Sequence, residues 1–166
     1  MAHQFVEAVP SDLSVDEKRI YLEVHQVLWN YEPIRATRAP LSVDVSAGRV
    51  TLSGRTRTES LRLLGAYISS FVPGVTAVVN EIVSDDQVIR AAADALAADP
   101  LTAPHVLQVN ARYGDVTLLG SVTSPEAEIR ATQLVGALDI VSTVRSDVSI
   151  VRPAPRSMRE SLAGAG

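Results

Sequence analysis

The chain has 166 residues and a mass of 17.7 kDa; 46% of it is apolar, 20% is charged, and the net charge is -4. That composition excludes a disordered, collagenous or purely coiled-coil chain and fits one domain or two small ones. Without cysteine there is no disulfide, thiolate metal site or cysteine nucleophile, and an acidic chain with 4% aromatics lacks the basic, stacking footprint of a nucleic-acid binder.

Met1–Glu7 carry neither a basic leader nor a continuous apolar stretch. No apolar run approaches the roughly 18 residues that span a bilayer. A cytoplasmic chain without an export signal is the expectation. After a leader at 1–15, Ile20, Val24, Val27, Leu28 and Tyr31 have helical spacing, and Pro33 is expected to stop that helix. Leu41, Val43 and Val45 alternate as a strand, Ala47-Gly48 turns the chain, and Val50 and Leu52 return it. A second helix is expected from Thr58 and a third strand from Val75 to Val83. Asp85-Asp86 then precede a helix bearing Val88, Ala92, Ala95 and Leu96. They read as its cap, with carboxylates set against the positive end of the dipole. Pro100 ends it. Leu107, Val109 and Ala111 form the next strand, Tyr113-Gly114-Asp115 turns into Val116 and Leu118, and Ser124-Pro125 opens a helix as N-cap and first-turn proline. A last strand runs from Val141 to Val151. The tail 152–166 reads as extended through Arg156, with a short helix possible at Ser157–Leu162.

These elements repeat. Gly48-Arg49-Val50-Thr51-Leu52-Ser53-Gly54 falls on Gly114-Asp115-Val116-Thr117-Leu118-Leu119-Gly120 at an offset of 66, and Val43, Val75, Val78 and Ile82 meet Val109, Val141, Val144 and Val148. For the first helix the offset is 68, pairing Ile20 with Val88 and Leu28 with Leu96. The two extra residues of the first copy are placed in a loop around Glu32-Pro33. The domains are therefore 16–83 and 84–151, each α-β-β-α-β. The fold class is α+β in two tandem units.

The strand, Gly, Val-x-Leu-x-Gly, helix and Gly-Val pattern resembles the BON domain, a bacterial module named after osmotic-stress and nodulation proteins. Gly48 to Gly54 and Pro73-Gly74-Val75 carry the resemblance in the first copy, and Gly114 to Gly120 in the second. The second copy has Asp139-Ile140-Val141 where the family has glycine before valine, so its turn is expected to use another backbone geometry. The resemblance implies, for each unit, a small three-stranded mixed sheet covered on one side by two helices. It implies no catalysis and a role at phospholipid surfaces, in envelope maintenance, or in attachment and oligomerisation. It also implies a periplasmic or membrane-associated location as the alternative to the cytoplasm.

No constellation for chemistry stands out. His3, His25 and His105 lack a second ligand at metal spacing, and Ser53 and Ser121 lack a patterned base. The glycines at 48, 54, 114 and 120 lie on hairpins, not in a phosphate loop. The expectation is a protein that is not an enzyme, with no metal, cofactor or small-molecule substrate.

The copies differ in what they add to a shared core. On the second helix Leu61, Gly65, Ile68 and Val72 match Ala127, Ala131, Leu134 and Leu138, a common core stripe. Leu64, Tyr67 and Phe71 form an adjoining stripe, replaced by Arg130, Gln133 and Ala137 in the second copy. Leu22 and Trp29 lie opposite the first helix's core stripe. Trp29 either faces a partner or tucks under the Glu32–Ala39 loop. Residues 16–83 carry eight basic side chains against seven acids, residues 84–151 four against nine, and Arg35, Arg38, Arg49, Arg55, Arg57 and Arg62 cluster in the first copy. Leu22, Trp29, Leu64, Tyr67 and Phe71 with Arg35, Arg38, Arg55, Arg57 and Arg62 are thus the candidate binding residues. An anionic phospholipid surface is the leading partner. Other subunits in a homo-oligomeric scaffold are the alternative, and a chaperone-like stress role is the third.

Overall fold

The computed structural model describes residues 8–152. Its elements run α1 (Val15–Asn30), α2 (Glu32–Thr37), β1 (Leu41–Ser46), β2 (Arg49–Thr56), α3 (Glu59–Ser69), β3 (Ala77–Ser84), α4 (Asp85–Ala98), β4 (Leu107–Arg112), β5 (Asp115–Val122), α5 (Pro125–Gly136) and β6 (Thr143–Ile150). The expectations for His3, the start of the leader and the tail from Pro153, including the helix at Ser157–Leu162, lie outside the described residues.

The repeats build two three-stranded mixed sheets, ordered β1-β2-β3 and β4-β5-β6. In the first, β1 runs antiparallel to β2, from Leu41↔Gly54 to Ser46↔Arg49, and β3 runs parallel to β2. A parallel neighbour needs a crossover, and α3 supplies it. In the second sheet α5 precedes β6, which pairs parallel with β5 from Asp115↔Thr143 to Val122↔Ile150. Two compact units result, one of residues up to 90 together with 111–114, the other of residues 91–110 together with those from 115. In the first, Ile20, Val24 and Leu28 of α1 share one buried core with Val43, Val50, Leu52 and Ile82, and Leu61, Ala66 and Ile68 of α3 pack against it. In the second half, Ala92, Leu96, Ala127, Ala131 and Val135 of the helices and Val116, Leu118 and Val122 of β5 are buried.

Three local expectations are corrected. Pro33 does not simply end a helix in a loop: α1 stops at Asn30, and Pro33 opens the short α2, where its fixed φ suits the first turn and Ile34 is buried. The third strands start two residues late, at Ala77 and Thr143. Val75 and Val141 instead donate their N–H groups to the Val72 and Leu138 carbonyls in tight turns. Asp85 and Asp86 occupy the first turn of α4 but do not cap it. The Ser84 hydroxyl accepts from the Gln87 N–H at 3.2 Å while the Gln87 side chain accepts from the Ser84 N–H at 3.0 Å, the reciprocal capping pattern. Ser14 and Glu17 do the same for α1, Ser124 caps α5 as expected, and Thr58 caps α3, which begins at Glu59.

The family-like glycines have a steric cause. Gly54 and Gly120 sit at φ +112° and +123°, and a Cβ there would stand 2.0 Å from the Pro40 carbonyl oxygen or 2.4 Å from that of Val106. No L side chain fits. Gly74 takes φ +91°, whereas Ile140 is absent from the positive-φ residues, so the second copy turns by another route as expected.

Each hairpin turns through two residues with positive φ, Ala47-Gly48 and Tyr113-Gly114, the geometry that matches strand twist. Positive φ is uncommon for Ala and Tyr, and in both places a carboxylate from the start of a helix holds the turn. Glu17 accepts from the Ala47 N–H at 2.9 Å. Asp85, its equivalent at offset 68, accepts from the Tyr113 and Gly114 N–H groups at 3.0 and 3.2 Å. The Ala47 N–H, then the Ser14 hydroxyl and N–H, hold the Glu17 carboxyl at about 2, below its ordinary 4.5.

Two glycines give opposite predictions. Gly54→Ala is expected to lower the stability of the full chain by about 3 kcal/mol or more through strain and collision. Gly65→Ala, whose Cβ would meet Ile82, Leu28 and Ile34 at ordinary contact distances of 3.7 to 3.8 Å, is expected to raise it by about 0.5–1 kcal/mol; urea unfolding measures both. The Glu17 tie gives a pH signature. A depressed folded-state pKa contributes stability that is complete above about 4.5 and fades as pH falls toward 2. The Tm of the wild type should therefore exceed that of Glu17→Gln at pH 6, and the gap should narrow by pH 2.5.

Candidate docking face

A helix lying on a sheet buries one stripe and offers the opposite one. On α1 the buried stripe is Ile20, Val24 and Leu28, and its opposite is Val15, Leu22 and Trp29, seven residues apart and 85%, 53% and 40% exposed. On α3, Gly65 and Ser69 are buried, and the outer stripe is Leu63 and Tyr67, continued by Phe71 just past the end of the helix, at 53%, 61% and 68%. Both faces of both helices are thus apolar. Trp29 is not sealed beneath the segment after α1; the buried residue of that segment is Ile34 of α2. Tyr67 and Phe71 meet edge to face with ring centroids 4.9 Å apart, an ordered aromatic pair standing in solvent. Beside Phe71 lies a shallow hollow of about 350 Å³, lined by Gln26, Val27, Asn30 and Glu23 of α1 and by Ile68, Val72 and Pro73.

The expected stripe is shifted by one residue. Leu64 is half-buried, since the 100° step from Leu63 carries it to the flank of α3, and Leu63 takes its place on the outer face. Leu63 was discoverable from its i, i+4, i+8 spacing with Tyr67 and Phe71. Comparing the copies hid it, because Ile129, the matching residue, is apolar as well and is itself 57% exposed.

The arginines do not gather into one patch with these rings. Arg62 is bound to Glu59, Nε at 2.8 Å and Nη2 at 2.6 Å, and that guanidinium keeps the Glu59 carboxyl below its usual range. Arg57 donates to the buried Asp85 carboxylate at 2.5 Å and to the Ala111 carbonyl at 2.7 Å, and its guanidinium lies 5.8 Å from the centre of the Tyr113 ring. Arg35 and Arg38 are exposed on and just after α2, Arg49 is exposed on β2, and Arg55 is half-buried there. None stands on the outer stripe of α1 or α3. His25 packs on the Tyr21 ring at 4.4 Å. Among the described residues no three His, Cys, Asp or Glu side chains gather as a metal site, and no helix is long and apolar enough to cross a membrane.

Fold and surface together define a tandem repeat of a small α+β domain whose first copy carries an additional apolar helix face. The BON domain model matches residues 16–83 and again 84–152, and the chain belongs to the BON-domain family. No curated protein matches it. Among solved structures it is similar to CdsD, a structural protein of the type III secretion system of Chlamydia trachomatis, at a TM-score of 0.66 and 16% identity over 92% of this chain and 71% of that one. The C-terminal domain of CdsD gives 0.62 and 17% over 85% and 70%. At such identities the likeness is one of fold.

If the outer stripes are surplus to the core, changing them spares the fold. In dilute solution Tyr67→Gln with Phe71→Gln should alter the unfolding free energy by no more than about 0.5 kcal/mol, whereas Leu28→Ala should cost about 2–5 kcal/mol. Chemical denaturation separates the two.

Proposed function

We propose that this BON-domain protein is a non-enzymatic scaffold module that assembles with copies of itself, and that the outer face of α1 and α3 in its first repeat is the contact. One observation carries the reading. Leu22, Trp29, Tyr67 and Phe71 stand exposed in the first repeat, where the second has Arg90, Ala97, Gln133 and Ala137. A fold that closes with polar or small residues in the second copy has no need of four large apolar ones in the first. Contiguous exposed apolar surface of this kind marks interaction sites, and burying each such side chain is worth about 1.5–3 kcal/mol. The likeness in fold to a structural protein of a secretion assembly supports the same direction.

Anionic phospholipid is the second reading. It is favoured by exposed Arg35 and Arg38, each worth about 1 kcal/mol near a charged membrane, and by Trp29 as an interfacial anchor. It is the weaker of the two because Arg35 and Arg38 lie on and just after α2 rather than on α1 or α3, and the exposed Arg19 of α1 is paired with Glu23. Light scattering between 1 and 100 µM, without and with vesicles containing anionic lipid, discriminates. The expected outcome is a mass above 17.7 kDa that rises with protein concentration and does not require vesicles. A constant 17.7 kDa at every concentration ends the scaffold reading, and flotation with anionic vesicles at low salt only would install the lipid one.

A further inference from the structure

Resting on that scaffold reading, we propose that assembly closes at two. A pair of chains meets about a twofold axis through the α1–α3 outer faces of their first repeats, each chain's Tyr67–Phe71 pair set against its partner's hollow. In a twofold contact every patch meets its own copy, so a face with net charge would repel itself. This face is close to balanced: Arg19 is paired with Glu23 at 3.2 Å and Arg62 is held by Glu59, while Lys18, which donates to the neutral Ser11 carbonyl at 3.5 Å, leaves a net charge of +1 among the groups named. Between the apolar stripes lie neutral groups, Ser60, Gln26, Asn30 and Ser70, which suit a polar rim.

Shape points the same way. Phe71 belongs both to the exposed aromatic pair and to the wall of the hollow, so knob and hole adjoin on one surface and two copies can exchange them simultaneously. The area is of the right order. At roughly 200 Å² per aromatic side chain, the exposed fractions of Trp29, Tyr67 and Phe71 offer on the order of 340 Å². Val15, Leu22, Leu63 and the rim carry the face toward the roughly 800 Å² per partner of a standard interface. Closure at two follows because, among the described residues, the second repeat does not repeat this face: it presents Arg90, Ala97, Gln133 and Ala137 at the matching positions. A head-to-tail contact between the first repeat and the more acidic second would leave an aromatic face open at one end and keep growing.

Trp29 is the chain's one tryptophan and stands on the face, so its emission reports contact there. Sedimentation equilibrium and tryptophan emission of the full chain are followed from 1 to 100 µM, together with Tyr67→Glu/Phe71→Glu and the second-repeat control Ile129→Glu. Expected are a mass that reaches twice 17.7 kDa and stops, a blue shift of Trp29 with the same midpoint, dimerisation weakened on the order of 100-fold in the double variant, and no change for Ile129→Glu. Growth beyond two chains overturns the proposal and leaves the scaffold reading standing, whereas a doubling of mass that leaves Trp29 emission unmoved overturns the twofold contact and the face that the scaffold reading assigns, keeping self-assembly alone. A wild-type monomer throughout overturns both, and a Trp29 shift seen only with anionic vesicles assigns the face to lipid. Because the emission test uses the unmodified chain, it decides the question even if a glutamate variant fails to fold.

Discussion

A carboxylate at the start of a helix, holding the N–H of a hairpin turn, is the contact on which the rest of the fold depends. Glu17 holds Ala47, and Asp85 holds Tyr113 and Gly114. The hairpin must turn through two positive-φ residues to follow the twist of its strands, which is costly for alanine and tyrosine. The carboxylate compensates by giving the turn's N–H a charged acceptor. It also ties the end of the helix to the end of the sheet. Once that end is anchored and the stripe of Ile20, Val24 and Leu28 is sunk in the core, the rotation of α1 about its own axis is set. Val15, Leu22 and Trp29 then have no choice but to face outward.

Copies with one architecture meet that constraint with different chemistry. Glu17 serves both as capping-box partner of Ser14 and as acceptor for the turn, whereas the second copy divides the work between Gln87 and Asp85. The Asp85 carboxylate is buried, and Arg57 supplies its counter-charge. A buried carboxylate without such a partner would be strongly destabilising. Arg57 is therefore accounted for by structure rather than by an external anion, and Arg62 by Glu59. The basic character of the first repeat is smaller in effect than its arginine count suggests.

What remains unexplained by folding is apolar. The second repeat shows that the sheet and its two helices close with Arg90, Ala97, Gln133 and Ala137 on the outer surface, so the large residues at the equivalent places in the first repeat contribute nothing the core requires. Surplus hydrophobic surface on a rigid helix layer, with its aromatic rings already packed edge to face, has little ordering entropy left to lose on binding. That combination suits a docking surface better than a catalytic one.

The sequence by itself determined the repeat, the α-β-β-α-β order, the cap at Ser124 and the hairpin turns, because each rests on local period or on residues with a narrow backbone preference, and the mixed sheets came from the family resemblance. It also identified Leu22, Trp29, Tyr67 and Phe71, since comparison of the copies subtracts the common core. Only the tertiary structure decided the rest. It turned the segment at Pro33 into a helix, because buried Ile34 anchors it; gave the cap of α4 to Ser84, because Asp85 is engaged by a hairpin 28 residues away in the chain; exchanged Leu64 for Leu63; and spent Arg57 and Arg62 on internal carboxylates. These outcomes turn on which partner reaches a side chain first in three dimensions, and spacing along the chain carries no record of that competition.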